Sequence, residues 1–199
     1  MRYLIVDLEA TCWRKRHRTQ KIETIEIGAV LMATAAGPIS GEFSEFIRPI
    51  YSTELSDFCT ELTSIRQADI DNADLFSQVF PRLVDWIGPE PFQFCSWGGF
   101  DQRQLEKDCE RHSLTLPKPF EALHHLNLKR LFAEWKSGRQ MGMAAALEML
   151  EIPLEGMHHR GIDDARNLAK LASLMLPAIR PESPSPPTNR VTIPSTAEI

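Results

Sequence analysis

The sequence predicts an α/β domain in which helices pack against a mixed β-sheet. Three observations carry that expectation. Residues 2–7, 24–33 and 42–48 read as strands joined by short links, which is the pattern of an antiparallel meander. Apolar residues then recur at helical spacing in several later stretches. Among those helices, residues 92–96 read as a further strand. A meander followed by alternating helices and strand points to a covered mixed sheet.

Each element has its own warrant. RYLIVD (2–7) is a short apolar run ending in an acid, as expected of a buried strand. TIEIGAVLMA (24–33) alternates at first and then becomes fully apolar. Gly37-Pro38 is a turn signal. EFSEFIR (42–48) anchors a third strand through Phe43 and Phe46. In residues 73–87, Leu75, Phe76, Val79, Leu83, Trp86 and Ile87 fall near helical spacing, and Pro81 predicts a kink or break. FQFCS (92–96) is the fourth strand. Gly98-Gly99 then interrupts the chain before a polar helix over 100–112. Residues 126–136, 141–150 and 162–176 complete the helices. Residues 179–199 are rich in Pro, Ser and Thr and predict a disordered tail. One folded domain, 1–178, is therefore expected, without internal repeats.

Composition narrows the function classes. With 199 residues and 43% hydrophobic content, the chain can bury one substantial core. The apolar start is too short and too soon acidic for a signal peptide or a membrane span, so a soluble cytoplasmic protein is expected. Cys12, Cys59, Cys95 and Cys109 form no C-x-x-C pair, which argues against a zinc ribbon and for reduced core thiols. The net charge of −5 argues against bulk nucleic-acid binding. The run RKRHR at 14–18 stands out against it, with Lys21 close behind. It is either a solvated loop or a local clamp, making Arg14, Lys15, Arg16 and Arg18 candidate phosphate contacts.

The acids are placed informatively. Asp7 and Glu9 bracket Leu8 at the end of the first strand. Residues two apart on a strand share a face, so the two carboxylates sit side by side. Their repulsion is relieved if a cation bridges them. Asp101 follows the fourth strand near a helix start, where it either caps the helix or serves a site. In the last helix Leu168, Leu171, Ala172 and Met175 form the apolar stripe, and one turn back lies Asp164. Asp163 instead aligns with Arg166, Asn167 and Lys170 on the polar face. An inward acid needs a partner, because burying it unpaired is costly. Asp7, Glu9, Asp101 and Asp164 together make an all-oxygen set suited to Mg²⁺ or Mn²⁺ rather than zinc. Two such ions about 3.5–4 Å apart can clamp a phosphodiester, with a nearby histidine taking the proton of the attacking water. His158 and His159 are both near, and helical phase does not choose between them.

These residues resemble the motifs of the DEDDh, or DnaQ-like, 3′–5′ exonucleases. VDLEATC is similar to the family's D-x-E, SWGGFDQRQL to its second motif, and HRGIDDARN to its His, four residues, Asp. The three occur in order across residues 1 to about 178. DLEATCW, IETIEIGAVL, FCTELTSIRQADIDNA and HHRGIDDARNLAKL further resemble the Eri-type and bacterial KapD-type members. The resemblance implies an RNase H-like, five-stranded sheet with three antiparallel and then parallel strands. It implies two Mg²⁺ or Mn²⁺ held by Asp7, Glu9, Asp101 and Asp164, with His159 as general base. It implies release of 5′-mononucleotides from 3′ ends of single-stranded RNA or DNA. It also places Ala10, Thr11, Leu62, Ile65 and Trp97 around the terminal nucleotide, where apolar and aromatic side chains can stack on any base. The SAP nucleic-acid-binding module of some relatives is not expected, since Met1 opens directly on the first strand. A catalytically silent nucleic-acid-binding protein of the same fold is the alternative. A metal phosphohydrolase of the HD type needs an adjacent His-Asp pair, and the sequence has none. Nothing in the sequence specifies the oligomeric state.

Overall fold

Strand β1 (Arg2–Ala10) lies at the centre of one five-stranded sheet. It pairs antiparallel with β2 (Thr24–Met32), which pairs antiparallel with β3 (Ile39–Phe46). On its other side β1 runs parallel to β4 (Phe92–Ser96), which runs parallel to β5 (Leu126–Asn127). The order is β3-β2-β1-β4-β5, the mixed sheet that the sequence predicts. The computed structural model describes residues 1–179, the side chain of Ser137 apart. The expected tail lies outside the described residues from Arg180 onward.

Helices α1 (Asp57–Thr63), α2 (Gln67–Asp71), α3 (Phe76–Ile87) and α4 (Phe100–Arg111) precede β5. α5 (Leu128–Phe132), α6 (Met143–Met149) and α7 (Gly161–Ile179) follow it. Two expectations need correction. First, α3 passes uninterrupted through Pro81. Its stripe of Phe76, Val79, Phe80, Leu83 and Ile87 is buried, and that packing carries the helix over the hydrogen bond Pro81 cannot donate. Second, residues 126–127, read as the start of a helix, form β5. Two residues are too few to show period-two alternation, and Asn127 caps α5 immediately by accepting the Arg130 N–H at 3.0 Å. The short helices α1 and α2 leave no mark in the hydrophobic pattern.

β1 shows how the sequence positions the site. Leu4, Val6 and Leu8 enter the core beneath α3 and α4, together with Phe76, Phe80 and Leu105. Tyr3 and Ile5 enter the opposite core, against Leu168, Leu171, Ala172 and Met175 of α7. Leu168, Leu171, Met175 and Leu176 are fully buried. At about 1.5–3 kcal/mol each, they hold α7 on the sheet by an amount large compared with a single surface ion pair. The remaining residues on that face of β1 are Asp7 and Glu9. They lie where the apolar stripe ends and α7 begins.

Candidate active site

Asp7 and Glu9 project from the sheet face that α7 covers, and Leu8 points into the other core. Opposite Asp7 in register stands Gly28, and opposite Glu9 stands Glu26. The first turn of α7 crosses the sheet at this point. A Cβ on Gly28 would lie 1.9 Å from the backbone carbon of Gly161. A Cβ on Gly161 would lie 2.8 Å from the Gly28 nitrogen and 3.0 Å from the Asp7 carbonyl oxygen. Both glycines serve this close approach of helix to strand. It brings Asp164, 4% exposed, onto the acidic pair. One ligand oxygen from each of Asp7, Glu9 and Asp164 lies within 4.8 Å of the others.

Asp101 completes the group from α4, where it occupies the first turn and is buried. Its Oδ1 accepts the Leu8 N–H at 3.1 Å, which ties the α4 start to β1 between the two acids. After burial, Asp101 is the strongest influence on Asp7, followed by Glu9, Asp164 and Glu26, and Asp7 is pushed well above the usual carboxylate range. Burial, then Asp164, Glu26 and Asp101, push Glu9 up to about 8. Burial raises Asp101 to about 6, even though the Leu8 N–H and the Ser96 hydroxyl favour its charged form. Burial also raises Asp164, opposed by its hydrogen bond from His158. Several buried carboxylates that suppress one another's ionisation, with oxygen donors only, fit a hard divalent cation.

These shifts predict a pH effect with a definite sign. In the metal-free folded chain Glu9 keeps its proton over a range where the unfolded chain has lost it. The stability is fully present below the ordinary value near 4.5 and is lost as pH rises to about 8. Thermal unfolding in chelator should therefore fall by roughly 5–10 °C across that window, with part of the fall removed in Glu9→Gln and the rest carried by Asp7, Asp101 and Asp164. Saturating Mn²⁺ should reverse it, because the ion binds the ionised carboxylates. A metal-free melting temperature that rises across the same window would refute the raised carboxylates.

The approach of α7 is also held by charge. Glu26 is fully buried and receives Arg160 Nε and Nη at 3.1 Å each, together with the Gly161 N–H at 3.0 Å. The Arg160 guanidinium also lies 5.2 Å from the Phe46 ring centroid. This bidentate pair, on the residue next to His159, fixes the backbone that carries the histidines. His159 has a left-handed backbone, φ 64°, and its N–H donates to Asp164 Oδ2 at 3.0 Å. His158 Nδ1 lies 3.0 Å and 3.2 Å from the two Asp164 oxygens. The two imidazoles stack with centroids 3.9 Å apart. Burial and the neighbouring His158 lower the pKa of His159, against the pull of Asp164.

The sequence-derived residues are distributed as follows. Asp7, Glu9 and Asp164 converge, Asp101 is tied to β1 between Asp7 and Glu9, and His159 lies against Asp164. Asp163 does not: it accepts the Met157 N–H at 2.9 Å and pairs with Arg166, closing the loop before α7. Thr11 is buried, its hydroxyl accepting the Glu23 N–H and donating to the Lys21 carbonyl, both at 3.0 Å. Ile65 is fully buried with Ile25, Cys59 and Ile70, and Ala10 is also buried. Leu62 and Trp97 keep partial exposure, with the Trp97 indole donating to the Met141 carbonyl at 3.1 Å. Arg14 pairs with Glu61 at 3.4 Å and lies over the Phe58 ring, whereas Lys15, Arg16 and Arg18 are exposed. Sequence reasoning missed Gly28, Gly161, Glu26, Arg160 and the contact of His158 with Asp164. Only Gly28, an isolated glycine within a strand pattern, carried a local signal.

Comparison with known proteins places this geometry among nucleases. The model of the exonuclease (RNase_T) family matches residues 4–172. The chain is 33% identical over 181 residues to human 3′–5′ exoribonuclease 1, covering 86% of this chain and 51% of that protein. It is 31% identical over 195 residues to mouse ERI1 exoribonuclease 2, covering 87% of this chain and 28% of the relative. It thus spans about half or less of the length of these two curated relatives. Among solved structures, the nuclease domain of 3′hExo, a DEDDh family member bound to rAMP, superposes with a TM-score of 0.82 at 32% identity. That match covers 89% of this chain and 92% of the other.

Proposed function

We propose, for a chain that belongs to the exonuclease (RNase_T) family, that it hydrolyses single-stranded RNA or DNA from the 3′ end and releases 5′-mononucleotides. The observation that carries this is the meeting of Asp7, Glu9 and Asp164 at the end of the α7 face, with Asp101 locked to β1 beside them. In this reading the four carboxylates hold two Mg²⁺ or Mn²⁺. When bound, such ions polarise water toward hydroxide and stabilise the leaving oxygen of a phosphodiester.

The chain's own groups supply the rest. His159 accepts the proton of the attacking water. Its lowered pKa supports that role, since it keeps the imidazole neutral and able to accept near neutral pH. His158 holds the Asp164 carboxylate, and the Glu26–Arg160 pair holds the backbone of both histidines. Leu62 and Trp97, the candidate nucleotide contacts with exposed surface, offer apolar faces to the terminal base, while Ala10, Thr11 and Ile65 shape the ground beneath them. The relatives' names as exoribonucleases, and the rAMP in the similar nuclease domain, support RNA as the first substrate to test. Among the described residues no helix is long and apolar enough to cross a membrane. The four free cysteines support a reducing, cytoplasmic setting.

The test is a panel of 5′-labelled single-stranded RNA, single-stranded DNA and duplexes with 3′ overhangs, with Mg²⁺, Mn²⁺ or chelator. Ladders shortening from the 3′ end, with 5′-mononucleotides as product and no turnover in chelator, are expected. His159→Ala should lower kcat by roughly 10²–10⁴, and His158→Ala should act mainly on metal affinity. Tight strand binding without metal-dependent turnover would instead support the silent binding protein.

A further inference from the structure

We infer that the loop between β1 and β2, together with α4, forms a second anion site that grips the phosphate backbone of the substrate strand upstream of the cleaved end. The site is an open cavity of about 180 Å³ whose lining includes Arg16, Arg18, Lys21, Lys107 and Arg111. Among the described residues no acidic side chain lines it. Arg111 is paired with Asp108, but among the described residues Arg16, Arg18, Lys21 and Lys107 have no carboxylate partner. Four uncompensated cations thus meet at one cavity on a chain whose net charge is −5.

The cavity is built rather than incidental. Its floor is the Ile22 carbonyl, which accepts Gln104 Nε2 at 3.1 Å and Arg111 Nη at 3.0 Å. Thr24 continues the same junction, its N–H and hydroxyl donating to buried Asp108 at 3.1 Å and 2.6 Å. The returning end of the basic loop is therefore fastened to α4. This fastening decides which part of the basic run is used. Arg14 is turned toward Glu61 and Phe58, while Arg16 and Arg18 face the cavity.

Position links the cavity to the acidic centre. One wall leaves β1 two residues after Glu9, and the other is the helix whose first turn holds Asp101. At 1.5 Å per residue, Lys107 and Arg111 lie about 9 Å and about 15 Å along α4 from Asp101. A strand whose 3′ end lies among the carboxylates can run along α4 and present its upstream phosphates to these cations. Charge without aromatic stacking suits the sugar-phosphate backbone and carries no preference for base. This inference rests on the exonuclease reading for the direction of the strand, though not for the binding itself.

The experiment uses the full chain in chelator, so that binding is measured without turnover. The probe is a fluorescent single-stranded RNA of about twenty nucleotides, longer than the usual footprint of one domain. Arg16→Glu/Arg18→Glu/Lys107→Glu should weaken binding at least tenfold and flatten the slope of log affinity against log salt by about 2, at about 0.7 for each phosphate no longer neutralised. Lys107→Glu alone, an exposed change on α4, should flatten it by about 0.7. With metal present, KM for the long strand should rise in the triple variant while hydrolysis of a dinucleotide, too short to reach the cavity, stays unchanged. An unchanged slope and KM would overturn the inference, as would an equal loss on the dinucleotide. So would loss of anionic-vesicle binding with RNA binding intact. If the unaltered protein binds RNA with the expected slope but hydrolyses neither substrate, the exonuclease reading fails and the anion site stands.

Discussion

Asp7→Asn and Asp164→Asn will each reduce metal-dependent hydrolysis by roughly 10³-fold or more. Each neutralises one of three carboxylates whose oxygens lie within 4.8 Å of one another. Stabilisation of transition-state charge by a bound ion is worth several kcal/mol, and each 1.36 kcal/mol is tenfold in rate. The substitution is nearly isosteric, so a lower rate reports charge and ligation rather than a cavity. Asp7→Asn should also make the chelated protein more stable near pH 8. It removes a half-buried carboxyl whose neighbours already oppose its ionisation. Single-turnover rates in Mn²⁺ and thermal unfolding in chelator measure the two effects. Rates within tenfold of the unaltered protein would remove Asp7 and Asp164 from the centre. A fall in metal-free stability would contradict the electrostatic account.

Gly28→Ala is expected to cost about 1–3 kcal/mol of stability or more, and activity beyond that. The added Cβ would meet the backbone of Gly161 and the Ile162 nitrogen, not a side chain that can turn away. The start of α7 must then rise from the sheet, taking Asp164, His159 and the Arg160–Glu26 pair with it. A misplacement of about 1 Å at a reacting centre can cost about 10²-fold in rate. Gly142→Ala is the control, since nothing lies within 4 Å of a Cβ there. Denaturant unfolding and single-turnover rates of both variants decide it. A Gly28→Ala protein with unaltered rate would show that α7 need not touch β2 to place Asp164.

The two effects differ in how far each was visible in the sequence. Asp7 and Glu9 could be put on one face from the strand period alone. Asp164 could be separated from Asp163 because it falls in phase with Leu168, Leu171 and Met175. Gly28 signalled only that something approaches the strand closely. That the approaching element is Gly161 depends on how α7 crosses the sheet, which no local pattern encodes. The helix α3 shows the opposite limit: Pro81 predicts a break by a local rule, and a buried stripe of five side chains overrides it.

By itself the sequence determined the mixed sheet, the α7 stripe and the inward acids, and its family resemblance implies His159 as the general base. These are matters of period and motif, which a chain carries along its own length. Only the tertiary structure decided that Glu26 answers Arg160 across 134 residues, that His158 rests on Asp164, and that Arg16 and Arg18 share a cavity with Lys107. Periodicity tells which side of an element a residue occupies. It is silent about what the fold brings to meet that side, because strand register and helix crossing are set by the packing of the whole core.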